Sequence, residues 1–427
     1  MKRRTFLALS AVSITAPAWP AFAATDAKRD SVGVLLNWYK LVLELVRHTA
    51  TYSPPVASRA FAYLGITAYE VLASGAQGYQ SLAGQVNGLT ALPPRPEGVD
   101  DAAALNAALT EAIANFFGNT GPTGQRAMDA MARAMGTPDA ASAAYGLAVA
   151  DHIWNWSQSD GGAAVENMGF PMAYETGGKA GSWVPTSLIR QQQFPLLPNW
   201  GNNRTFAAPS GSACGIADHP EYSEDPASAF YAEAMVVYDT AKTLTPEQKT
   251  IARFWSDDPM LSPTPPGHWI SIVLQIADRN NMDALRTADI LARLGVALAD
   301  GFIGCWWAKY KYDLIRPVSY IRRVIDPKWE PLLITPPFPE YPSGHSTQSG
   351  AAAAALTAFF GDNFAFSDAT HVDDAIPARD YASFAAAAEE AATSRLYGGI
   401  HFPSANKNGL EQGRCIGAYA AALETQL

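Results

Sequence analysis

The chain has 427 residues, 48% hydrophobic and 16% charged, which is enough apolar material for one large core or two smaller ones and argues against disorder. A formal net charge of −10 argues against nucleic acid and anionic membrane surfaces as partners. Cys214, Cys305 and Cys415 allow at most one intramolecular disulfide and match no zinc spacing, which excludes a disulfide scaffold.

Residues 1–23 read as an export signal. Lys2, Arg3 and Arg4 precede an apolar stretch from Phe6 to about Thr15, and Ala21-Phe22-Ala23 offers a small-x-small cleavage site. Arg3-Arg4-Thr5-Phe6-Leu7 also resembles a twin-arginine signal, although Lys2 stands where that pattern prefers Ser or Thr, so both export routes stay open. Losing those three basic residues takes the charge from −10 to −13. The mature chain is expected to be periplasmic or secreted and to lack a membrane span, since even the apolar tract from Val296 to Trp307 is broken by Asp300.

The remaining periodicity is helical. Val34, Leu35, Trp38, Leu41, Val42 and Leu45 recur at three- and four-residue steps, and a second helix is expected from Pro54-Pro55 to Leu72. A Pro/Gly-rich connection covers about Asn87 to Gly98, and a long irregular stretch runs from about Ser157 to Pro226, with Trp183 and Trp200 expected as anchoring hydrophobes. Further helices are expected from Met282 to Asp313, from Ser346 to Phe360 and from Tyr381 to Tyr397. The expected architecture is all-α, two fused helical bundles: an N-terminal helical region over residues 24–240 with long loops, and a C-terminal bundle over 241–427.

Three motifs follow in order within the C-terminal part: Lys309-x6-Arg316-Pro317, then Pro342-Ser343-Gly344-His345, then Ser394-Arg395-x5-His401. Lys309, Arg316 and Arg395 can neutralise a dianion, and Ser343 with the Gly344 amide can donate to its oxygens. His345 and His401 can divide nucleophilic and acid/base roles. Lys309 and Arg316 are two helical turns apart if the helix continues to Pro317, and the second motif opens a helix whose free N–H groups favour an anion. The Ala351 to Ala355 run permits close helix packing behind that site.

This set resembles the signature of the vanadium-dependent haloperoxidase and type 2 phosphatidic acid phosphatase superfamily. Phe254-Trp255, Pro265-Pro266-Gly267-His268-Trp269 and Leu197-Pro198-Asn199-Trp200-Gly201 are similar to phrases of its bacterial haloperoxidase-like branch. The resemblance implies an oxyanion site in the C-terminal bundle that takes vanadate, or phosphate in its place. Lys309, Arg316, Ser343, Gly344 and Arg395 would bind oxygens, His345 would be the acid/base, and His401 would be the vanadium ligand or phosphorus nucleophile. The implied activity is oxidation of halide by hydrogen peroxide to hypohalous acid, with Lys309 polarising the peroxide and a small organic acceptor consuming the product. The alternatives are an exported acid phosphatase acting through phospho-His401 and a weakly catalytic oxyanion-binding protein. Trp306 and Phe338 stand where chloroperoxidases carry aromatics beside the halide.

One departure stands out. The superfamily places an Asp four residues after the last histidine, and here that position is Ala405; Asn406, a backbone carbonyl or Asp313 is expected to substitute. Glu340 is expected to face solvent. Of the other histidines, His48, His152, His219 and His371 are expected to be surface or core residues, and His268 is the one suspected of a supporting role at the site.

Overall fold

The computed structural model describes residues 29–427 except 166–168 and 259; the export signal expected at residues 1–23 lies outside the described residues. Fourteen α-helices are described: α1 (Ser31–Arg47), α2 (Pro54–Ala73), α3 (Asp101–Phe116), α4 (Gly121–Met135), α5 (Ala140–Ser157), the short α6 (Gly162–Val165), α7 (Ala229–Thr243), α8 (Pro246–Phe254), α9 (Thr264–Arg279), α10 (Ala284–Tyr312), α11 (Pro317–Val324), α12 (Gly344–Phe360), α13 (Phe384–Tyr397) and α14 (Pro403–Ala421). The fold is all-α apart from one antiparallel pair, β1 (Phe366–Asp368) with β2 (Arg379–Tyr381). That pair shortens one expected helix: Tyr381 belongs to β2, and α13 starts at Phe384 behind the Ser383 cap. No helix among the described residues is long and apolar enough to cross a membrane.

The two bundles are fused through α10. Its N-terminal half lies against α2, where a methyl group on Gly65 would stand 2.7 Å from Leu291 O and one on Gly295 would stand 2.8 Å from the Ala62 backbone. Further along, α10 packs against α12 and α14, and α12 meets α14 so tightly that Gly413 and Gly417 lie directly on the Thr347 and Ala351 carbonyls. Small residues on all four helices permit this approach, as the alanine run implied.

Asp300, the charge that interrupts the apolar tract of α10, is 2% exposed and fastens the long irregular stretch. Its carboxylate accepts the N–H groups of Phe206, Ala207 and Ala208 at 2.6, 2.8 and 2.8 Å. Trp183 and Trp200 are buried in the same stretch, as expected of anchors. A disulfide joins Cys214 to Cys415 on α14, leaving Cys305 as a buried free thiol.

The end of α10 departs from the expectation that one helix carries both Lys309 and Arg316. Asp313 adopts a left-handed φ of 49°, its N–H closes on Lys309 O, and the next residues run extended. Ile315 N donates to Gly181 O and Glu340 N donates to Leu314 O, so residues 314–315 are clamped between two loops. Pro317 therefore starts α11 rather than stopping α10, and Arg316 is its N-cap.

Candidate active site

The residues of the three motifs converge where α10, α11, α12 and α13 end or begin. Lys309 comes from the last turn of α10, Arg316 from the entry to α11, Ser343 from the cap of α12, Gly344 and His345 from its first turn, Arg395 from the last turn of α13, and His401 from the link to α14. Ser343 N donates to Ala405 O, which ties the head of α12 to the start of α14.

His401 is 2% exposed, with both ring nitrogens engaged. Nδ1 lies 2.8 Å from Glu340 Oε1, and Nε2 lies 3.2 Å from Arg316 Nη1. Donation from Nδ1 to the carboxylate leaves the Nε2 lone pair facing the cations. Burial lowers the His401 imidazole well below its ordinary range, and Arg316, Lys309, Arg395 and His345 lower it further, so the ring is a neutral electron-pair donor at pH 7.

Glu340 corrects the sequence expectation. It is fully buried rather than solvent-facing, and Oε1 accepts both His401 Nδ1–H and Phe402 N–H, the latter at 2.8 Å. Burial raises its carboxyl, while Arg316, Lys309 and the Phe402 N–H favour the ionised form that meets His401. None of the three expected substitutes takes this place: Asp313 accepts Gly177 N, Asn406 Oδ1 has no partner, and the group on His401 Nδ1 is the Glu340 carboxylate rather than a backbone carbonyl. With Glu340 beside His401, the absence of Asp at 405 no longer implies a weakened ligand.

The cations are held by backbone carbonyls. Lys309 Nζ donates to Pro339 O and Glu340 O at 2.9 Å each and to Pro342 O, so its three hydrogens all meet carbonyls, and burial pushes the ammonium down to about 7. Arg316 donates from Nε to Phe338 O at 2.8 Å and from Nη1 to Ile400 O at 3.0 Å. Arg395 Nη1 donates to Trp255 O. Burial pushes both guanidinium groups down to about 10.

His345 also hydrogen-bonds the Trp255 backbone, and its Nε2 lies 3.8 Å from Asp257 Oδ2. Burial and then Arg395 lower it well below the ordinary histidine range. Trp306 is 1% exposed, with Nε1 donating to Leu196 O at 3.1 Å and its ring centroid 5.0 Å from that of Phe338. The Phe338 centroid is 5.2 Å from Lys309 Nζ and 4.9 Å from Arg316 Cζ, so an aromatic wall lies against two of the cations.

The donor set fits a tetrahedral oxyanion. Arg316 Nη2, Arg395 Nε and Ser346 Oγ are buried donors without hydrogen-bond partners, and His345 Nε2 is a buried nitrogen without one; leaving such groups unpaired costs about 1–3 kcal/mol each. Gly344 adds space at the helix head, since a Cβ there would meet no protein atom closer than 3.9 Å. Sequence reasoning missed Glu340, Asp257 and the Trp255 carbonyl. Glu340 had one usable signal, a lone carboxylate beside the Pro-Ser-Gly-His motif.

Known proteins resemble this chain in sequence and in fold. Residues 289–427 match the family described as the VCPO second helical-bundle domain. A stretch is 31% identical over 135 residues to vanadium chloroperoxidase of Curvularia inaequalis, covering 25% of this chain and 22% of that enzyme. The crystal structure described as the first bacterial vanadium-dependent iodoperoxidase is 37% identical, covers 92% of this chain and 96% of its own, and superposes with a TM-score of 0.82. A holo-type bacterial vanadium-dependent chloroperoxidase, 17% identical over 88% of this chain and 93% of its own, shares the fold with a TM-score of 0.73.

Proposed function

The chain belongs to the vanadium-dependent haloperoxidase family, and on that premise we propose that it is a vanadate-dependent haloperoxidase that uses hydrogen peroxide to oxidise halide, iodide first, to hypohalous acid. The observation that carries the proposal is the set of buried, unpartnered donors around a neutral His401 whose Nδ1 is held by Glu340. Iodide is put first because the 37% identical relative is described as an iodoperoxidase.

Vanadate, when bound, supplies a Lewis-acidic centre that activates hydrogen peroxide without changing oxidation state. His401 Nε2 would hold that centre, and Glu340 keeps this nitrogen free of a proton by accepting the one on Nδ1. Arg316 and Arg395 would bind the vanadate oxygens with Nη2 and Nε, and the head of α12 would add the Gly344 amide and Ser343 hydroxyl. Lys309 would contribute charge from the floor of the site, its hydrogens already directed at carbonyls. His345, neutral and with Nε2 free, can take a proton from peroxide and return one to the leaving oxygen. Trp306 and Phe338 would keep water from a poorly solvated halide. The disulfide supports an exported enzyme.

The test assays the purified chain with and without orthovanadate. Peroxide-dependent iodide oxidation that requires vanadate supports the proposal. Phosphate-ester hydrolysis that vanadate abolishes, without iodide oxidation, would reassign the pocket to a phosphatase.

A further inference from the structure

Next to His345, a second buried cluster gathers on Asp257. His268 Nδ1 lies 2.9 Å from Asp257 Oδ1, and His371 Nε2 lies 3.4 Å from the same oxygen. Each imidazole has a carboxylate on its other nitrogen: His268 Nε2 lies 2.8 Å from Asp368 Oδ2, and His371 Nδ1 lies 3.0 Å from Asp374 Oδ2. The His371 side chain is 6% exposed, and its Nε2 has no hydrogen-bond partner. Asp257 adopts a left-handed φ of 49°, a conformation unfavourable outside glycine. The residues come from three places, the segment after α8, helix α9, and the link between α12 and α13.

We propose that Asp257, His268 and His371 bind one divalent transition-metal ion of the zinc type. The three ligand atoms lie within 4.8 Å of one another. Ligands about 2.0–2.1 Å from a tetrahedral ion stand roughly 3.3 Å apart, and the two distances to Asp257 Oδ1 bracket that spacing. A carboxylate behind each imidazole fixes the tautomer and aims the free nitrogen, as at histidine sites for zinc. Two nitrogens and one oxygen suit a borderline ion rather than calcium or magnesium. With both imidazoles neutral, Asp257 and Asp368 carry two negative charges, offset in part by Arg395, which faces both Asp258 and Asp257; Arg47 pairs with Asp374. The ion replaces the proton that His268 Nδ1 donates to Asp257, and that proton goes to solvent. His371 keeps its Nδ1–H toward Asp374. Because Asp257 Oδ2 is 3.8 Å from His345 Nε2, the ion also anchors the carboxylate beside the acid/base histidine.

This site does not depend on the haloperoxidase reading and is tested without turnover. The untagged chain is titrated with Co2+ and followed by its visible d–d absorption, then loaded with Zn2+, desalted and analysed for metal. One ion per chain is expected, retained in His401→Ala and lost in His371→Ala, with circular dichroism confirming the fold of each variant. Asp374→Asn, at a partly exposed position, is expected to weaken binding by about 10–100-fold. The proposal is overturned by a folded wild type with no saturating band, which would make the cluster a proton-held network only. Unchanged affinity in His371→Ala or Asp374→Asn, or loss of binding in His401→Ala, overturns it as well.

Discussion

Glu340 and His401, 61 residues apart in the chain, meet through a 2.8 Å contact between Oε1 and Nδ1. The carboxylate that the superfamily carries after the last histidine is here delivered from before the Pro-Ser-Gly-His motif. Glu340→Ala is expected to lower vanadate affinity by about 10–100-fold. Glu340→Gln should lose less, because its amide oxygen still accepts both N–H groups but without charge. Ala405→Asp should bring no gain, since position 405 is fully buried and a new carboxylate there would lack a partner. Vanadate titration by calorimetry distinguishes the three.

The histidines should separate by function. His401→Ala is expected to abolish both vanadate binding and turnover, and His345→Ala to slow turnover while leaving vanadate bound. Equal vanadate affinity in wild type and His401→Ala would contradict the ligand assignment.

Arg316→Ala and Arg395→Ala are each expected to weaken oxyanion binding by about 2–4 kcal/mol, the range for removing one partner of a desolvated charge-assisted pair. Phosphate competition against vanadate reads this loss directly. An unchanged dissociation constant in either variant would place that arginine outside the anion shell.

Lys309→Met should report on stability as well as binding. The ammonium satisfies the carbonyls of Pro339, Glu340 and Pro342, so its removal is expected to cost about 1–3 kcal/mol. Denaturant unfolding at fixed pH measures this, and a variant as stable as wild type would mean that those carbonyls find other donors.

Glu70 supplies a pH prediction remote from the site. It is 3% exposed, accepts Leu82 N and Ser81 Oγ, and burial pushes its carboxyl up to about 7. A carboxyl raised in the folded state contributes stability fully below its unfolded pKa, and that contribution is lost as pH rises toward about 7. Glu70→Gln can keep both hydrogen bonds and does not ionise. Its stability relative to wild type should therefore rise between pH 4.5 and 7, by at most on the order of 3 kcal/mol. A flat difference across that window in urea unfolding would count against a raised Glu70.

The helices, the anion-binding head of α12 and the set of cations and histidines were all legible in the chain, because helical periodicity, proline and glycine punctuation and donor chemistry are local properties. Long-range partnership was not. Arg316 reaches the site from an extended segment because Gly181 and Glu340 clamp residues 314–315, and no local pattern foretold that clamp, although the end of α10 at Tyr312 lies one residue from the expected Asp313. The expectation that Glu340 faces solvent failed for the same reason: burial of a carboxylate is decided by the groups that come to meet it, here His401 and the Phe402 amide. Likewise His371, unremarkable by spacing, joins Asp257 and His268 only through the link between α12 and α13. The sequence by itself determined which chemical groups the site could use and the order in which the chain supplies them. The tertiary structure decided which carboxylate serves which histidine, because a hydrogen bond needs partners within about 3 Å and only packing sets that distance.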